Sequence, residues 1–434
     1  MLLFLKITVI ILSFISLEHE ALAALPYTSV VLPIHKHTDA SKTLYSVQVM
    51  TAYVNMQFLT QNLLIDLDAP IIYRTCILQW NVYQGSCPSD TQCAYPVSCE
   101  EYQCTEVRTS YTYKNPYCQR ESNSSTLPGW GVCTCPVNVV NPVDSSCLQA
   151  QLNYDFFTFN ESNGGNVYTG IYAANPNAAC ASSSAVNSFP VNVTGVMALS
   201  SSPYALPASL VDPLKRVIGV CLPNTVSNPG VLIYGDSPYY LLPQKDVDVR
   251  SYLSYTPLIK KPDSFGYFIG VNNIVIKKRS ITVPADATAK ISTSEPYTVL
   301  RTDIYNAVLR RFSMVTKRIV TAPPVPPFGL CFSNSINGTQ RALKVPDIDF
   351  GLPEGKKWTM STANSIKQVT PEVACLAMVD GGATSEHAIV IGSFQMEDNF
   401  VVFNLENSTF GFSSSLLGRK TSCSNFNYTL VSSY

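Results

Sequence analysis

The stretch Leu63-Leu64-Ile65-Asp66-Leu67-Asp68-Ala69-Pro70 decides how the chain is read. Three apolar residues run straight into an acid, a second acid follows two positions on, and a proline closes the segment. Upstream, Leu44-Tyr45-Ser46-Val47-Gln48-Val49, Ala52-Tyr53-Val54 and Phe58-Leu59 alternate in the manner of half-buried strands. The pattern predicts antiparallel sheet that delivers Asp66 to a loop. A second stretch, Lys290-Ile291-Ser292-Thr293-Ser294-Glu295-Pro296-Tyr297-Thr298-Val299-Leu300, reads as its partner, with Ser292 facing the role of Asp66.

Both stretches resemble the active-site loops of pepsin-like aspartic proteases, in which each loop reads apolar-apolar-Asp-Thr/Ser-Gly. Two aspartates there share one proton, because like charges so close cannot both ionise. One carboxylate activates water while the other, protonated, polarises the peptide carbonyl. Here the first loop keeps Asp66 and follows it with Leu67, which has no hydroxyl to brace the loop, and the second carries Ser292 instead of an acid. The resemblance implies an all-β, bilobal pepsin-like fold with a central cleft and a few short helices. Asp66 and Ser292 are then relic positions, and no catalytic residue is assigned. Asp68 follows Asp66 at i+2, and Glu295 precedes Pro296, so neither is an obvious second acid.

Composition fits a folded, secreted chain. Hydrophobic residues make up 46% and charged ones 14% of 434 residues, enough length for two lobes and a large core. Lys6, the apolar run 7–17 and Ala21-Leu22-Ala23 have the layout of a secretory signal over residues 1–23. Removing Lys6, Glu18 and Glu20 from 29 basic and 30 acidic residues leaves 28 of each, so no net field draws the chain to nucleic acid or anionic membrane. Fourteen cysteines, nine between Cys76 and Cys147, point to disulfides in an oxidising compartment. Metal binding competes only at Cys133-Thr134-Cys135, where the one-residue gap and the lack of a nearby histidine disfavour zinc. Six Asn-x-Ser/Thr sequons, at Asn123, Asn160, Asn192, Asn337, Asn407 and Asn427, predict N-glycosylation.

Residues 81–147 lack sustained periodicity and are expected to form a disulfide-tied loop region. Val191–Leu199 and Ala388–Phe394 share an apolar-apolar-Gly pattern and should cross beneath the two loops, pairing Asp66 with Gly195 and Ser292 with Gly392. A short helix is expected near 206–214, and Leu300, Ile304, Val308 and Phe312 mark an amphipathic one. The segment 148–154, with Tyr154, is the expected flap. His35 and His37 fall near an amino end expected to be mobile, and His387 opens an apolar strand. No Gly-x-Ser-x-Gly, His-Glu-x-x-His or phosphate-loop motif occurs, so no cofactor or metal is expected.

The resemblance narrows at Pro327-Phe328-Gly329-Leu330-Cys331-Phe332, the run Gln395–Leu405 and Cys423-Ser424-Asn425-Phe426. These look like the plant group of extracellular dermal glycoproteins, xyloglucan-specific endoglucanase inhibitors, xylanase inhibitors and basic globulins. It implies an amino-terminal lobe over 24–225, a carboxy-terminal lobe over 226–434 and a Cys331–Cys375 disulfide. It also implies no peptidase activity, an extracellular location and a microbial glycoside hydrolase as protein partner. In the inhibiting subgroup, arginines on two loops of the second lobe enter the target's cleft, where a guanidinium can bridge carboxylates bidentately. The matching positions are Arg318 and, aligned on Cys423, Lys420 with Arg419 beside it. A storage or ligand-binding globulin of the same fold, and a residual aspartic endopeptidase, are the alternatives.

Overall fold

The apolar lead Leu63-Leu64-Ile65 is almost wholly buried, each residue at most 3% exposed, as a run with both faces covered must be. It ends the strand Phe58–Asp66, which pairs antiparallel with Leu44–Ala52 and parallel with Val193–Ala198. The latter strand turns back antiparallel onto Tyr73–Thr75, the strand leaving the loop. The second half repeats this wiring. Thr288–Ile291 pairs antiparallel with Ser264–Gly270 and parallel with Ile389–Ile391, which lies antiparallel to Thr298–Leu300. The computed structural model describes residues 27–52, 58–78, 93–109, 118, 133–210, 214–285, 287–336, 339–340 and 343–432. The signal segment 1–23 and the sequons at Asn123 and Asn337 lie outside the described residues.

The halves are joined by one antiparallel sheet in the order Ser29–His37, Gly230–Gly235, Val217–Cys221, Phe400–Asn404, Thr409–Phe412 and Ser254–Lys261. Tyr239 stacks on Phe400 and Tyr267 packs at a tilt on Phe403, with ring centroids 4.7 and 4.4 Å apart. A buried ionic group ties the ends of the chain together: Lys36 Nζ donates to Glu397 Oε1 at 2.8 Å, and Tyr45 Oη to the same oxygen at 2.6 Å. Among the described residues no helix is long and apolar enough to cross a membrane.

Several expectations are corrected. The cysteine-rich region holds regular elements, the strands Cys93–Pro96 and Pro136–Val140 and the helix Tyr102–Thr109. Disulfides Cys99–Cys133 and Cys104–Cys135 pin the helix where its short apolar pattern alone could not. Cys133 and Cys135 therefore belong to different disulfides and form no metal pair. Cys76–Cys180, Cys118–Cys147, Cys221–Cys423 and the expected Cys331–Cys375 are also formed. The amphipathic helix is Thr302–Val315, and Leu300 ends the preceding strand instead of opening the helix. The shorter one covers only Leu206–Ser209. His35 and His37 sit on the first strand, half-buried, with His37 Nε2 2.7 Å from Ser46 Oγ.

The pairing beneath the first loop is also different. Asp66 lies opposite Ala198, and Gly195 opposite Leu63, because the ladder shifts register between Val193 and Gly195. Gly195 serves another purpose: a Cβ there would stand 2.1 Å from the Tyr73 carbonyl oxygen and 2.6 Å from Arg74 Cα. Gly392 is excluded from bearing a side chain in the same way by the Tyr297 backbone, while Ser292 N donates to Ile391 O at 3.0 Å. In the segment expected as the flap, the Tyr154 hydroxyl donates to Glu101, and the strand ending at Val140 is tied to the strand leaving the first loop by Tyr73 Oη donating to Val140 O at 3.1 Å.

Candidate functional site

The two loops meet where strands of both halves end. Thr293 Oγ1 crosses from the second loop to donate to Ile65 O at 2.8 Å, in a buried position. Leu67 has no hydroxyl to return the bond, so the cross-brace is one-sided. Asp66 is 7% exposed, and its Oδ1 accepts from Asp68 N at 2.8 Å. Burial first, then the Asp68 carboxylate, push Asp66 up to about 6. The N–H groups of Asp68 and Ala69 and the Lys290 ammonium pull the other way.

Ser292 is 4% exposed. Its Oγ lies 3.1 Å from Ser294 Oγ and accepts from Glu295 N at 3.1 Å, so the hydroxyl is spent on holding its own loop. The second acid of the first loop faces a cation: Asp68 Oδ2 accepts from Lys290 Nζ at 2.5 Å and Oδ1 from Ser264 Oγ at 3.2 Å. Asp68 is two residues after Asp66 and Lys290 two before Ser292, so the outgoing side of one loop and the incoming side of the other carry opposite charges. The sequence displayed both residues, but only the meeting of the halves reveals the pair. Further contacts close the same end: Ser201 N and Oγ donate to Phe265 O, and Tyr267 Oη donates to Leu199 O at 2.7 Å. His387 stands beside Lys290 and Asp68, held below its ordinary pKa by burial and then by Lys290.

One buried carboxyl titrating near 6, a hydroxyl opposite and a lysine-neutralised second acid do not amount to two acids sharing a proton. The arrangement braces two halves. Among the described residues no group of three or more His, Cys, Asp or Glu side chains could hold a metal ion.

The basic positions singled out from sequence lie elsewhere. Arg318 is exposed just beyond the helix Thr302–Val315, in a turn closed by Ile319 N donating to Thr316 O. The chain then enters the strand Thr321–Ala322, whose Ala322 pairs with Cys331. Arg419 and Lys420 are exposed at the end of a single 3-10 turn, Leu416–Arg419. The Arg419 guanidinium lies 3.8 Å from the centre of the Tyr252 ring, and its carbonyl accepts from Gln244 Nε2 at 2.5 Å. Lys420 has left-handed backbone, φ 60°. The two loops are thus rooted on different neighbours, and sequence gave no hint of the Tyr252 platform.

Comparison with known proteins completes the picture. The family model described as "Xylanase inhibitor N-terminal" matches residues 49–236, and "Xylanase inhibitor C-terminal" matches residues 266–414. The chain belongs to the non-proteolytic plant pepsin-like family. The rice protein named Chitinase CLP (Oryza sativa subsp. japonica) is 32% identical over 410 residues, covering 91% of this chain and 90% of that one. Gamma conglutin 1 of Prunus dulcis is 35% identical over 349 residues, covering 75% and 80%. Of solved structures, that titled "Crystal structure of edgp" superposes with TM-score 0.78 at 30% identity, covering 94% of this chain and 99% of that one. Conglutin gamma from lupine seeds gives 0.76 at 28%, covering 93% and 100%. The all-β, two-lobed pepsin-like fold with few short helices is the fold of this family.

Proposed function

We propose that the chain is a secreted, proteolytically silent inhibitor of microbial glycoside hydrolases, presenting Arg318 and Lys420 from a carboxy-terminal lobe that begins near residue 226. The observation that carries this reading is the contrast between the two regions. The old catalytic loops are locked together by Thr293 and the Asp68–Lys290 pair, whereas Arg318 and Lys420 stand exposed on loops rooted near disulfides. Cys331–Cys375 anchors the strand beside the first, and Cys221–Cys423 closes the second. Arg419, its guanidinium over the Tyr252 ring, supports the second loop while Lys420 stands exposed beside it. A cation on a rigid root loses little freedom on meeting the carboxylates of a glycosidase cleft. The partner is a protein, the location is extracellular, and no cofactor is required.

The test is titration of the purified protein into a xyloglucan-specific endoglucanase and a xylanase. Activity should fall with a fixed stoichiometric end point, and Arg318→Ala and Lys420→Ala should each raise the concentration needed. If the wild-type protein leaves a panel of microbial glycoside hydrolases unaffected, the reading fails. Similarity to gamma conglutins and basic 7S globulins favours a storage or ligand-binding globulin as the second reading. Inhibition indifferent to both substitutions would support it. A residual peptidase would cleave peptides at acid pH in a pepstatin-sensitive manner abolished by Asp66→Ala; we expect no such turnover.

A further inference from the structure

A second basic surface lies apart from the loop carrying Lys420. The strands Asn273–Ile276 and Arg279–Thr282 form a hairpin in which Ile276 faces Arg279, leaving a two-residue turn, Lys277-Lys278. Both lysines have left-handed backbone, φ 48° and 64°. A turn of this kind demands two such residues, and Asn-Gly satisfies it with least strain, because a β-carbon resists that region. Two consecutive lysines are a costly way to turn a corner. Strain kept at such a site points to a use for the side chains.

The helix Thr302–Val315 extends the same surface. Arg311 reaches into the turn, its Nε and Nη2 each donating to Ile276 O at 3.2 Å and Nη2 to Lys277 O at 3.1 Å. Lys277, Lys278, Arg279, Arg310 and Lys317 are all exposed. Arg310 lies one turn before Met314 on the same face of the helix, and Lys317 follows just beyond the helix end at Val315. Met314 between them is 57% exposed. By register the acid beside the turn is Asp347, next to the Ile348 that pairs with Ile276, and Asp303 at the far end of the helix is engaged by Arg301. In a chain whose acids and bases nearly balance overall, five cations gathered on one hairpin and the end of one helix make a local positive field.

We propose that this surface binds an acidic polysaccharide, a chain of uronate carboxylates, by serial ion contacts. The side chains fit that partner better than a protein one, since protein interface cores are enriched in aromatic residues and depleted in lysine. Here the cations surround a single methionine. The spread of charge over a helix end and a hairpin corner suits a polymer more than a small anion.

The decisive variant is Lys277→Asn with Lys278→Gly, which installs the low-strain turn while removing two charges. Wild-type protein should be retained on immobilised polygalacturonate, with retention falling as salt rises, and should ignore the fully methyl-esterified polymer. The turn variant should bind about tenfold more weakly at low salt, the loss of roughly two ion contacts, while its Tm rises. Arg310→Gln with Lys317→Gln should weaken binding without moving Tm. Equal retention of wild type and both variants would overturn the proposal, as would retention on the uncharged polymer. Retention on double-stranded DNA at the same salt would overturn it too, by revealing indiscriminate polyanion adsorption. The turn variant leaves the Arg318 turn unaltered, so hydrolase inhibition is read separately on that variant, and its failure would leave this result standing.

Discussion

Replacing Asp398 by asparagine should flatten the dependence of stability on pH. Asp398 is 1% exposed; its Oδ1 accepts from Cys423 N at 2.9 Å, and Oδ2 has no hydrogen-bond partner among the described residues. Burial first, then the neighbouring Glu397 carboxylate, push it up to about 6, against the Cys423 N–H and Lys36, which pull it down. In the unfolded chain it titrates near 4. The folded form therefore holds the proton more tightly, so the stability it contributes is full below about pH 4 and is lost as pH rises through about 6. Raising the carboxyl from near 4 to about 6 corresponds to about 3 kcal/mol, or on the order of 3–4 °C in Tm for a chain of this size. Asparagine tolerates the left-handed backbone of this position, φ 52°, and keeps an acceptor for Cys423 N without ever carrying charge. Thermal unfolding from pH 4 to 8 should show wild type losing that increment and Asp398→Asn keeping it. Asp66, pushed up to about 6 as well, adds a loss of the same sign that persists in the single variant and disappears in the double Asp66→Asn, Asp398→Asn. Superimposable pH profiles of wild type and Asp398→Asn would refute the reasoning. Leu416 N also donates to Asp398 O at 2.7 Å, so the carboxyl sits at the root of the loop carrying Lys420.

Other consequences are equally open to measurement. Arg74 grips Asp155 through two bonds of 2.7 and 2.9 Å, both side chains at most 2% exposed. Arg74→Met should therefore cost about 3–5 kcal/mol in denaturant unfolding by stranding the acid, and a loss below 1 kcal/mol would contradict the pairing. Lys290→Met removes a cation that lowers Asp66, so the Asp66 midpoint followed by carboxyl NMR should move upward from about 6; an unmoved midpoint would separate the two groups. Gly195→Ala should destabilise by about 1–3 kcal/mol or prevent folding, since its Cβ would meet backbone atoms at Tyr73 and Arg74, whereas Ala198→Gly should be milder. Asn192 and Asn407 are exposed, so secreted protein should lose one glycan of mass with each Asn→Gln change, and an unchanged mass at both would exclude them as acceptors.

What could be read in advance follows from the range over which each signal acts. Apolar runs such as Leu63-Leu64-Ile65 and Ile389-Val390-Ile391 announce buried strands, because burial on both faces imposes itself residue by residue. Wiring between distant segments is harder. Both Gly195 and Ala198 are small residues in one apolar strand, and only the bulge after Val193 determines that Ala198 faces Asp66 while Gly195 passes the Tyr73 backbone. Cysteine-tied elements are weaker still in sequence: the helix Tyr102–Thr109 buries only Cys104 and Val107, too few to display a period, and depends on covalent bonds whose partners the sequence does not name. At the site, a serine and not an acid at position 292 was legible as a letter. The compensation was not, because the Asp68–Lys290 pair and the Thr293–Ile65 bond span 222 and 228 residues and exist only once the halves meet. A catalytic pair needs two mutually repelling acids held together by the fold. With Ser292 opposite Asp66 and Lys290 paired with Asp68, the two loops meet through an attraction between opposite charges instead of a repulsion between two acids.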